Sequence, residues 1–113
     1  MTIARDGIAL VELKRMAEQS FGNLVKAVVD VKRRVMALDG DLHADEEALL
    51  LEDGSEQRDL WGVNLYPELA GEQRVEFDSV INIRPTQGNR SRGVADPDIR
   101  KAILAVVQEL VQE

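Results

Sequence analysis

Residues 96–113 constrain the fold most. Asp96-Pro97-Asp98 stands directly before an apolar series, Ile99, Ile103, Val106, Val107, Leu110 and Val111. An aspartate N-cap accepts an amide hydrogen, proline fits the first helical position, and a second acid complements the helix dipole. The spacing that follows is helical, and the stripe is too wide to be left in water. A sheet must cover this helix, or in part a second subunit, which makes its stripe a candidate homo-oligomer contact. Near the other end, Leu10, Leu13, Ala17 and Phe21 recur at helical spacing with charged residues between them, and Gly22 stands where a left-handed stop belongs. The spacing predicts a helix over 9–20.

The middle of the chain reads as strands. Residues 24–31 (LVKAVVDV) are rich in β-branched side chains, residues 35–38 are apolar, and Lys32, Arg33 and Arg34 lie between them. This pattern predicts a hairpin with a basic tip. Residues 45–53 (DEEALLLED) suit a short helix or a strand, but the turn residues Asp53-Gly54-Ser55 favour a strand that forms a second hairpin with 60–66. In 75–84, period two puts Val75, Phe77, Ile81 and Ile83 on one face and Glu76, Asp78, Asn82 and Arg84 on the other. The order helix, antiparallel strands, helix predicts an α+β fold. We expect one domain over 1–113, with an antiparallel sheet of about four to five strands and an N-terminal and a C-terminal helix packed on it.

Composition narrows the class of function. The chain has no cysteine, which removes disulfides, zinc ribbons and thiol nucleophiles and suits a reducing cytoplasm. It has no apolar run long enough for a membrane span or signal peptide. The net charge is −7, and residues 35–79 carry thirteen acids against two bases. A negative surface with only four aromatic side chains disfavours nucleic acid.

Chemistry concentrates in two places. The stretch I-R-P-T-Q-G-N-R-S-R-G, Ile83 to Gly93, lies between an expected strand and the last helix. Arg84, Arg90 and Arg92 offer planar forks to phosphate or carboxylate oxygens, and Asn89 adds a neutral donor, which makes these four the candidate site for an anionic small molecule. The competing reading pairs the arginines with Glu76 or Asp78 and leaves Gly88 and Gly93 to shape a sharp turn. The second place is His43, Asp45 and Glu47. If extended, these three point to one side and offer an imidazole and two carboxylates to a divalent cation, as in a metal-assisted hydrolase. A helix beginning at Asp45 removes that geometry. Trp61-Gly62 reads as a ligand platform or as a core residue beside a bulge. Ser55 and Ser79 lack a nucleophile context, no phosphate-binding or dinucleotide motif is present, and no cofactor is indicated.

Four segments, FGNLVKAVVDV, LHADEEALLLEDGS, LWGVNLYP and INIRPTQGNRSRGVADPDI, together resemble an uncharacterised family of small bacterial and archaeal proteins known only as a domain of unknown function. The likeness spans nearly the whole chain and is most distinctive in the arginine loop. It implies a complete cytoplasmic domain of prokaryotic type and carries no activity, substrate or catalytic residue.

Overall fold

The computed structural model describes Met1–Glu113. In chain order the elements are β1 (Thr2–Ala4), β2 (Ile8–Ala9), α1 (Leu10–Gln19), β3 (Val25–Asp30), β4 (Val35–Leu38), α2 (His43–Glu52), β5 (Leu60–Leu65), β6 (Val75–Glu76), α3 (Pro97–Leu110) and β7 (Val111–Gln112). Five strands form an antiparallel sheet in the order β1-β4-β3-β5-β6, and β2 pairs with β7 in a small parallel ribbon. The fold is mixed α+β, with the sheet flanked by the N-terminal and C-terminal helices.

Period two along the central strands sorts the core into two layers. Val25, Ala27 and Val29 of β3, with Met36, Leu38, Trp61, Val63 and Leu65, face α1 and α3 in the main cluster. Val28, Val35, Ala37 and Leu60 point the other way, and Leu50 of α2 packs on them. Helices therefore cover both faces of the sheet.

Both terminal helices form, although α3 ends at Leu110 and Val111, expected on its stripe, begins β7. Asp96 Oδ1 accepts from the Asp98 amide, Pro97 opens α3, and Ile103, Val106, Val107 and Leu110 are buried within the chain's own core. The last-helix stripe is thus spent on the sheet. In α1 the buried residues are Leu13, Met16 and Ala17, while Phe21 lies beyond the helix end. Gly22 takes φ +95° and its amide donates to the Ala17 carbonyl, closing the helix as expected. The β3–β4 hairpin has its basic tip, closed by Asp30 Oδ1, which accepts from the Lys32 and Arg33 amides at 2.9 Å each.

Two expectations are corrected. Of residues 45–53, expected as a strand, 45–52 lie in helix α2 and Asp53 caps its end. Glu46 and Leu50, four residues apart, are its buried positions, and Asp45 and Glu46 occupy the acidic first turn. Asp53-Gly54-Ser55 is a helix stop rather than a hairpin turn: Gly54 has φ +107° and the Ser55 amide donates to Leu50 O at 2.9 Å. Glycine with positive φ serves both structures, so local chemistry did not separate them.

The segment 75–84 is not one strand. Only Val75–Glu76 pairs with β5, and Val80–Asn82 forms a 3₁₀ turn in which Ser79 Oγ accepts from the Ile81 amide. Val75 reaches the main core and Ile81 the second cluster, while Ile83 is 43% exposed. The apolar alternation is real in composition. It is broken physically because serine caps a turn as readily as it sits in a strand.

Candidate functional site

Beyond β6 the chain runs as a loop over 77–95, and its hydrogen bonds show what holds it. Arg84 and Asn89 pair through their backbones, Arg84 N to Asn89 O at 2.7 Å and Asn89 N to Arg84 O at 3.1 Å, around Gly88 at φ +78°. The buried Asn89 carboxamide donates to the carbonyls of Asn82, Ser91 and Gly93 and accepts from the Ala95 amide. Arg84 donates to the carbonyls of Gln57 and Leu60, and its guanidinium carbon sits 4.1 Å from the Trp61 ring centroid. Burial pushes its pKa below the ordinary arginine value, and Nε is buried without a partner. Two of the four loop residues singled out in the sequence therefore brace the fold. Arg92 instead pairs with Asp78 at 2.6 Å on the surface, and Arg90 is exposed. Gly93 does not have positive φ.

The histidine cluster does not form. In α2, successive side chains turn by about 100°, so Asp45 lies about 200° from His43, and Asp45 is exposed. No group of three or more His, Cys, Asp or Glu side chains in the structure is placed to hold a metal ion.

A different cluster is assembled by the sheet. Register places Lys26 of β3 opposite Asn64 of β5, and Asn64 opposite Glu76 of β6. These residues share the face that carries α2, beyond the end of its apolar patch. Asn64 Nδ2 donates to Glu76 Oε1 at 2.8 Å, and the Tyr66 hydroxyl donates to the same oxygen at 3.1 Å. Burial, then the hydrogen bond to Glu76, raises the Tyr66 pKa. Asn64 Oδ1 is buried with no partner.

His43 enters this patch from the first turn of α2. Its Nε2 lies 2.8 Å from the Val63 carbonyl oxygen. A carbonyl only accepts, so Nε2 carries the proton and Nδ1 keeps its lone pair. Burial lowers the imidazole pKa, and the charges of Lys26, Asp78 and Arg92 also act on it. His43 is therefore neutral near pH 7 and sits among charges from β3 and from the arginine loop. None of the chain's ion pairs involves Lys26, whose ammonium lies 5.0 Å from the Phe21 ring centroid. Glu47, one turn after His43, has a buried Oε2 without a partner and adds to the field at Arg84.

The patch thus combines a neutral imidazole acceptor, an amide with an unpartnered oxygen, the Glu76 carboxylate and two cations, of which Lys26 is unpaired and Arg92 is paired with Asp78. Such a set can orient a polar ligand and accept a proton from it. Of the residues singled out in the sequence, His43 and Arg92 come into one neighbourhood. Lys26, Asn64 and Tyr66 were missed, although Lys26 and Asn64 are polar positions of otherwise apolar strands, and Glu76, expected as a partner for the arginines, instead accepts from Asn64 and Tyr66.

Residues 2–110 match the model of a protein family described as "Protein of unknown function (DUF5674)". No curated protein and no solved structure matches the chain. No helix is long and apolar enough to cross a membrane.

Proposed function

The chain belongs to this family of unknown function, and on that premise we propose that it binds a small anionic molecule, phosphorylated or carboxylated, on the polar end of its sheet. Lys26 and Arg92 supply the positive charge, and His43 Nδ1 accepts a hydrogen bond from a neutral donor on the same ligand. The reading rests on one observation: Lys26, which enters no ion pair, stands in register opposite Asn64, next to the Val63 carbonyl that holds His43 Nε2 at 2.8 Å. Glu76 and Asp78 in the same neighbourhood favour a ligand with hydroxyl or amide donors beside its charge. Arg84 and Asn89 hold the loop that carries Arg92, and Arg90 adds attraction at longer range. A cysteine-free chain suits a reducing compartment, and we place it in the cytoplasm.

The test is an NMR titration of the His43 ring with sodium phosphate, citrate and a hydroxycarboxylate such as lactate, followed by thermal shift. A bound anion raises the His43 pKa, and ligand at a hundred times its dissociation constant stabilises the fold by about 2.7 kcal/mol. Lys26→Ala and Arg92→Ala remove both effects. Unmoved His43 and Lys26 resonances with every anion would end the proposal.

A second reading, general-base chemistry on the bound molecule, is favoured by the tautomer: an unpaired Nδ1 on a neutral imidazole is the form a base requires. Its mark is a turnover rate that falls as His43 protonates.

A further inference from the structure

On the opposite side of the sheet, a groove of about 510 Å³ lies between the end of α3 and the turn that leads into β6. Its apolar wall includes Val75, Leu104, Val107 and Val111, and Arg74 lies at its polar end. Arg74 is 9% exposed. Its Nε donates to Leu69 O at 2.8 Å, and one terminal nitrogen pairs with Glu113 Oε1 at 3.1 Å. The partner carboxylate is 68% exposed. A guanidinium nine-tenths buried is thus neutralised by an exposed side chain that solvent already competes for. A buried cation needs its counter-charge, but nothing requires that charge to belong to the protein.

We propose that this groove is a ligand site for a small amphipathic monocarboxylate, with Glu113 as its displaceable internal stand-in. The ligand carboxylate pairs with Arg74 while its hydrocarbon body lies against Leu104, Val107 and Val111. The volume falls in the range of small-molecule pockets, and the lining joins an apolar wall to the polar side chains of Glu72, Arg74, Gln108 and Glu113. Glu72 also lines the groove and is exposed. Its charge disfavours a dianion such as phosphate, which restricts the ligand to a single negative charge.

Sodium hexanoate is the probe, with acetate as the short control and 1-hexanol as the uncharged one, read by amide and arginine side-chain NMR shifts. Hexanoate is expected to move Arg74 Nε, Leu104, Val107 and Val111, with 1-hexanol binding at least about tenfold more weakly for want of the charge-assisted contact and acetate at least about tenfold more weakly for want of buried methylenes. Glu113→Gln, on an exposed side chain, keeps the fold and tightens hexanoate binding several-fold by removing the competitor. Arg74→Met abolishes it, and where that variant fails to fold, Glu113→Gln decides alone. Equal binding of hexanoate and hexanol overturns the proposal, as does unchanged affinity in Glu113→Gln. Shifts confined to His43 and Lys26 would also overturn it, and would leave the sheet-face reading intact.

Discussion

The Asn82 side chain pairs with Gly62 as a neighbouring strand would. Asn82 Oδ1 accepts from the Gly62 amide at 2.8 Å, and Asn82 Nδ2 donates back to the Gly62 carbonyl at 2.9 Å. One carboxamide thus satisfies both groups at the edge of β5 where β6 has stopped pairing. Gly62 permits the approach, because a Cβ there would meet Ser79 Cβ and Oγ at 2.6 Å.

Asn82→Ala is expected to cost about 3 kcal/mol, since it strands the buried donor and acceptor of Gly62 and leaves the Arg92 carbonyl with the Ser79 amide as its one donor. Gly62→Ala is expected to cost about 1–3 kcal/mol by overpacking. Urea denaturation checks both, and a loss below about 1 kcal/mol for Asn82→Ala contradicts the role assigned to it.

Glu46 is fully buried. Its Oε2 accepts from the Gly40 amide at 2.9 Å and its Oε1 has no partner. Burial pushes its pKa up to about 9. The native state therefore keeps a proton that the unfolded chain releases above its ordinary value of 4.5. This group's contribution is complete below that value and falls by about 1.4 kcal/mol per pH unit until the pH passes the native pKa. Glu46→Gln is expected to flatten stability between pH 5 and 9, with its advantage over the parent chain largest near pH 9. Parallel pH profiles for the two proteins would refute a buried, protonated Glu46.

Asp53 behaves in the opposite sense. Hydrogen bonds from Arg5 and then Arg33 hold its carboxyl at about 2. The stability it contributes is present above the ordinary value of 3.8 and disappears as pH falls through the native pKa. Asp53→Asn should lower the unfolding midpoint at pH 6 and should lose less than the parent between pH 4 and 2. The check is a pair of thermal melts at each pH.

For His43, burial lowers the pKa below 6.5. Its contribution is present above that value and is lost as acid takes the pH through the native pKa, because protonation must then charge a partly buried ring. His43→Gln retains a donor for Val63 O and is expected to remove this acid-side loss. Ring NMR gives the pKa directly, and a value above 6.5 in the absence of anions would contradict the neutral tautomer on which the proposed function depends.

Much of the fold was legible because some signals are local. Asp96-Pro97-Asp98 starts a helix wherever it occurs before an apolar stripe, and β-branched runs flanking Lys32, Arg33 and Arg34 form a hairpin with little help. The failures lie where one local chemistry serves two structures. Gly54 ends α2 although the same residues suit a hairpin, and Ser79 opens a 3₁₀ turn inside an alternating segment. The arginine loop was visible as a cluster of donors. What its donors bond was not, since Arg84 finds the carbonyls of Gln57 and Leu60, more than twenty residues away in sequence.

Residue order alone determined the α+β class, both terminal helices, the β3–β4 hairpin and the asymmetry of charge, because each follows from periodicity, capping or composition within a few neighbours. Tertiary structure alone decided that α2 covers the second face of the sheet. It also decided that Asn82 stands in for a strand, and that Lys26, Asn64 and Glu76 align beside His43. The reason is register: Lys26, Asn64 and Glu76 are far apart in the chain, and only strand pairing brings their side chains onto one face.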